Sequence, residues 1–164
     1  MMKQDLLNYY LSLACKGDAD ASFKAGKLME DEGTYNEVIV QKRYLDAAAA
    51  GHALAQKELA GLGLYGTLVT SDSTVTNIHY YDNINNAIMW LHKAAKNGNV
   101  ECAIAIQAIN KFGTDIIDRA RRAVDFYISS SYSTTVKKSI SDFMIFEIGL
   151  QCIDVWQANE INNI

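Results

Sequence analysis

Apolar and small residues recur along this chain at helical spacing, and glycine breaks the runs at repeated places. Ahead of Gly17, Gly51 and Gly98 the same face appears three times: Leu6, Tyr10, Leu13 and Ala14; Val40, Tyr44, Ala47 and Ala48; Ala87, Leu91, Ala94 and Ala95. Positions i, i+4, i+7 and i+8 share one side of an α-helix, so each run predicts a helix with a buried stripe. A weaker fourth copy uses Ala123, Tyr127, Ser130 and Ser131, with Thr134 in the place of the glycine. After each of the three glycines a second face follows: Ala21, Ala25, Gly26 and Met29; Ala55, Leu59, Ala60 and Gly63; Cys102, Ile106, Gln107 and Asn110. These runs end in turn at Gly33, Gly66 and Gly113. Alanine pairs near a helix end let a neighbour approach closely, and glycine just beyond accepts the left-handed geometry of a C-cap. The pattern therefore predicts antiparallel helices alternating along the chain, with a short turn after each.

At these residues the sequence resembles the Sel-one-like repeat family, short relatives of the tetratricopeptide repeat. The best copy runs from Ala55 to Gly98 and carries Ala55, Leu59, Ala60, Gly66, Ala87, Trp90, Leu91, Ala94, Ala95 and Gly98. The likeness covers about residues 5–133, or about three repeats. Gly63 and Asn110 stand where the family has an aromatic, and Gln107 replaces a small residue. The resemblance implies an all-α, right-handed solenoid of antiparallel helix pairs, one domain over residues 1–164, whose concave groove holds a protein or peptide. The groove would be lined by the first helix of each pair, making Lys24 and Lys27, Lys57 and Glu58, and Glu101 and Asn110 the candidate partner-binding residues.

Two segments fall outside the repeats. Residues 67–82 form an insertion whose β-branched runs flank Ser71-Asp72-Ser73, and His79, Tyr80 and Tyr81 would offer large amphipathic contact area there. It reads either as a small binding hairpin or as a solvated loop. Residues 134–164 hold Ile140, Phe143, Met144, Ile148, Cys152, Val155 and Trp156 at helical spacing. A C-terminal helix capping the open end of the stack is the expectation, with a homodimer contact as the sharper alternative.

Composition narrows the function. The 164 residues are 49% hydrophobic and 21% charged, with no proline, an ordinary globular composition suited to long helices. A net charge of −4 argues against binding to a nucleic-acid backbone. Asn8 interrupts the first apolar residues before a secretory signal could form, and the run from Phe143 to Leu150 is too short to cross a membrane, so a cytoplasmic location is expected. Cys15, Cys102 and Cys152 read as free buried thiols. Gly61-Leu62-Gly63-Leu64-Tyr65-Gly66 matches a dinucleotide-binding motif in letters, but it follows a helical run and opens a loop, so the glycines read as helix termination and close packing. His52, His79 and His92 lack a metal-ligand spacing. No metal and no cofactor are expected.

Arg119, Arg121 and Arg122 with Lys137 and Lys138 read as a solvated surface. Glu30, Asp31 and Glu32 crowd the last turn before Gly33, where the helix dipole disfavours anions; selection for a basic partner would account for them, and so would random surface drift. The expected function is thus non-enzymatic binding of a protein partner, in its specific form an immunity protein neutralising a basic toxin or effector. An adaptor in a signalling or secretion complex is the competing binding role, and a small hydrolase the enzymatic alternative.

Overall fold

The computed structural model describes residues 3–67, 80–130 and 140–162, with side chains over 3–67, 84–130 and 140–151. Among the described residues the protein is all-helical: α1 (Lys3–Cys15), α2 (Ala19–Glu32), α3 (Glu37–Ala49), α4 (Ala53–Tyr65), α5 (Tyr80–Lys96), α6 (Val100–Phe112), α7 (Asp115–Ser130) and α8 (Ile140–Asn162). No helix among them is long and apolar enough to cross a membrane. The expected hairpin and His79 lie outside the described residues. Tyr80 and Tyr81, expected in the insertion, open α5 instead.

The turns after α1, α3 and α5 are built alike. Gly17 N–H donates to Ala14 O at 2.9 Å and Asp18 N–H to Leu13 O at 3.2 Å; the same pair recurs at Gly51 and His52, and at Gly98 and Asn99. This double bond across the helix end satisfies carbonyls that would otherwise be orphaned. The residue after each glycine then caps the next helix. Asp18 accepts from Ala21 N–H at 3.0 Å, His52 Nδ1 from Ala55 N–H at 3.2 Å, and Asn99 from Cys102 N–H at 3.0 Å. Gly51, at φ 93°, holds a conformation that costs a side-chain-bearing residue on the order of 1 kcal/mol.

The second and third stripes are buried as their spacing predicts: Val40, Tyr44, Ala47 and Ala48 on α3, and Ala87, Leu91 and Ala94 on α5. Three registers differ from expectation. On α1 the residues Leu6, Tyr10, Leu13 and Ala14 are half-buried and Leu7 is the buried one. On α6 the buried face is Cys102, Ala105, Ala108 and Ile109, leaving Gln107 and Asn110 exposed. On α7 it is Ile116, Ile117, Ala120 and Val124, while Tyr127 is exposed and Ala123 half-buried. On α7 the branched Ile116, Ile117 and Val124 take the buried face, each contributing about 1.5–3 kcal/mol, whereas α6 buries the small Cys102, Ala105 and Ala108 with Ile109 and leaves Ile104 exposed.

From α1 to α7 each helix packs on the next, and α8 then returns to lie against α4, α6 and α7. Its Met144, Ile145 and Ile148 are buried there. The closest approach is at Gly61 of α4, where an added Cβ would overlap Ser141 Oγ and come within 2.5 Å of the Ser141 Cα. Ser141 Oγ donates within reach of two α4 carbonyls, Lys57 O at 3.2 Å and Glu58 O at 3.0 Å. Thus Gly61 and Gly63 lie inside a helix, no strand precedes them, and Gly61 serves close packing.

Gly61→Ala should lower stability by about 1–3 kcal/mol, the usual cost of overpacking. Gly149→Ala, where the new Cβ would meet only Ile104 Cγ2 at 3.7 Å, should be neutral or gain up to about 1 kcal/mol from helix propensity. Thermal or urea unfolding of the two variants checks the contrast.

Candidate interaction site

Six charged side chains converge where α2, α4, α6 and α8 meet. Lys27 Nζ pairs with Glu58 at 2.9 Å, and Lys57 Nζ bridges Glu101 of α6 and Asp142 of α8, the latter at 3.1 Å. Glu30 joins from the last turn of α2, accepting a hydrogen bond from the Tyr44 hydroxyl. Gly26 makes room for that tyrosine, since a Cβ there would stand 2.6 Å from its ring. The Lys27 ammonium also lies 5.5 Å from the Tyr44 ring centroid. Four carboxylates therefore share two ammonium groups.

Burial decides the protonation of this cluster. Glu58 is 5% exposed, and removal from water pushes its carboxyl up to about 7 although Lys27 pulls the other way. Burial likewise raises Glu30. For Lys27 and Lys57 burial works to lower the ammonium, but the surrounding carboxylates outweigh it and hold both above the ordinary lysine range. The buried Cys102 thiol is pushed up to about 12, so it is a packing group rather than a thiolate.

Of the residues singled out from sequence, Lys27, Glu30, Lys57, Glu58 and Glu101 are thus brought together, and they bind one another. Glu58 is in the interior, correcting its place on an open groove wall. Lys24 stays on the surface paired with Asp20 at 2.8 Å, and Asp31, Glu32 and Asn110 are exposed and apart from the cluster. Cys15 is exposed, not buried. Arg121, expected on a solvated surface, instead donates to Leu64 O at 2.9 Å, closing the carboxyl end of α4.

A surface that the sequence reading passed over lies beside this cluster. Val100 and Ile104 on α6, and Phe146 and Leu150 on α8, are apolar yet exposed, Val100 at 70% and Phe146 at 61%. Each pair has i, i+4 spacing, which makes a ridge along its helix, and α6 packs against α8. Gly149 of α8 lies beside the α6 ridge, with Ile104 Cγ2 3.7 Å from where a Cβ would stand. At one end stand the exposed carboxylates of Glu101 and Asp142, three residues before Ile104 and four before Phe146. The available signal was the unbroken apolar run Phe143-Met144-Ile145-Phe146, which points to more sides of a helix than one contact face can use.

No family model matches the chain, and no solved structure matches it. YibG of Escherichia coli (strain K12), described as an uncharacterized protein, is 33% identical over 96 residues, which are 58% of this chain and 56% of YibG. The chain therefore spans little more than half of that relative.

The raised Glu58 carboxyl fixes a pH dependence. A group whose native pKa exceeds its unfolded value contributes stability that is complete below about pH 4.5 and lost as pH rises through about 7. The protein should therefore unfold more easily at pH 8 than at pH 5, with roughly 3 kcal/mol as the ceiling from this group. Glu58→Gln should remove most of that difference in urea unfolding at the two pH values.

Proposed function

We propose that this chain is a Sel-one-like helical-repeat module that binds a protein partner in the cytoplasm and does no chemistry of its own. What supports the repeat reading is the recurrence of one turn at Gly17, Gly51 and Gly98, with the same carbonyl pairing and the same capping position each time. Successive packed helices joined by such short turns run in alternate directions, as in a solenoid of pairs. In this reading α8 closes the stack by lying over α6 and α7 and reaching back to α4.

The observation that carries the binding role is the exposed ridge of Val100, Ile104, Phe146 and Leu150. A contiguous apolar patch rimmed by charge marks an interaction site more often than scattered surface leucines do. The ridge takes the place of the groove wall, because Lys27, Lys57 and Glu58 are already engaged within the molecule, while Glu101, though paired with Lys57, keeps its carboxylate exposed at the end of the ridge. An acidic rim on a chain of net charge −4 suits a basic toxin or effector, the immunity form of the reading.

Affinity capture from the native cytoplasm, with the unaltered chain and Phe146→Ser side by side, tests this. A stoichiometric partner held by the first and reduced at least tenfold with the second is the expected result, because truncating a central aromatic anchor commonly costs 2 kcal/mol or more. Equal retention by both, or loss only when residues 68–79 are deleted, would remove the ridge from the account.

A further inference from the structure

The form of the ridge says what kind of partner it takes. Two packed helices each carry an exposed i, i+4 apolar pair, and Gly149 of α8 lies against Ile104 of α6, so the two ridges run beside one another along a seam. A furrow between helical ridges receives the ridge of another helix. Asp142, Phe146 and Leu150 fall four residues apart on one side of α8, and Glu101 and Ile104 three apart on α6, so both acids stand at the same end as the amino termini of their helices. Lys57 is their shared counterion, one ammonium for two carboxylates whose side chains remain 64% and 56% exposed. A negative charge is left there for a visitor.

Size decides between a second copy and a segment of another protein. Four partly exposed side chains offer on the order of a few hundred Å2. A stable dimer needs about 800 Å2 from each partner. A single amphipathic helix needs less, and its apolar residues at i, i+3 and i+4 repeat at the same spacing as the ridge pairs. Building on the docking reading above, we infer that the α6–α8 furrow binds one basic amphipathic helix of another protein, with leucine-like residues against Ile104 and Phe146 and a lysine or arginine between Glu101 and Asp142.

The probes are three short synthetic peptides, used with the full chain and read by fluorescence anisotropy. One is a leucine/lysine amphipathic helix, one its leucine/glutamate counterpart, and one a scrambled leucine/lysine peptide with no apolar face. Saturable one-to-one binding of the first alone is expected. Phe146→Ser should weaken it at least tenfold, and Glu101→Gln or Asp142→Asn severalfold with a shallower salt dependence. Methyl resonances of Val100, Ile104 and Leu150 should shift on titration. Equal or tighter binding of the glutamate peptide would overturn the basic partner while leaving a docking surface in place. Equal binding of the scrambled peptide, or shifts confined to other methyls, would overturn the furrow as the site. Sedimentation showing a dimer of the chain that Phe146→Ser dissolves would give the furrow to a second copy and overturn the inference. If no peptide binds while Phe146→Ser still loses a captured partner, the helical form of the ligand is wrong and the protein-binding reading stands.

Discussion

The contact between α8 and α4 at Gly61 and Ser141 governs the rest of the molecule. With no side chain at Gly61 the two helix backbones meet closely enough for a serine hydroxyl to reach carbonyls of the opposing helix. That approach seats Met144, Ile145 and Ile148 in the interior, each worth about 1.5–3 kcal/mol of apolar burial. It also brings Asp142 to Lys57, and so joins α4, α6 and α8 through one ammonium. The same placement covers residues that an open groove would present, and turns Phe146 and Leu150 outward. The buried core of α8 and its exposed apolar side chains thus have one cause.

The charge cluster beneath that contact is a compromise. A buried ion pair rarely repays the full loss of hydration, and here the excess of carboxylates over ammonium groups makes the balance worse. Burial therefore drives Glu58 toward its neutral form near neutral pH. The Tyr44 hydroxyl relieves part of the strain by donating to Glu30, and Gly26 is what admits its ring. Glu30 beside Gly33, which in sequence suggests an outward-facing acid, is thereby accounted for within the molecule. Asp31 and Glu32 remain as surface charges without such an explanation.

Much of the local structure was legible because it is encoded locally. The turn glycines, the alanine stripes of α3 and α5 and the end of α4 at Gly66 each follow from neighbours within a few residues, whereas Gly61 and Gly63, expected to terminate that helix, lie inside it. The caps at Asp18, His52 and Asn99 are encoded just as locally, as a polar residue directly after each glycine. The register of α6 was not readable: Ile104, Ile106 and Ile109 point three ways, and only packing selects which is buried. Nor could spacing show that α8 returns to α4, because that contact joins residues more than eighty positions apart. The candidate site suffered most from this. Ridge residues on α6 and α8 form one surface only once the long-range contact is made, and groove candidates such as Glu58 disappear beneath it.

Native-state amide hydrogen exchange tests the seating of α8 on α4 most directly. If the account is right, the amides of residues 142–148 are protected to the same free energy as those of α4 and open with them in one cooperative unit. Exchange of those amides at the rate of an isolated helix, with α4 still fully protected, would show that α8 is not held there and would contradict both the packing and the surface built upon it.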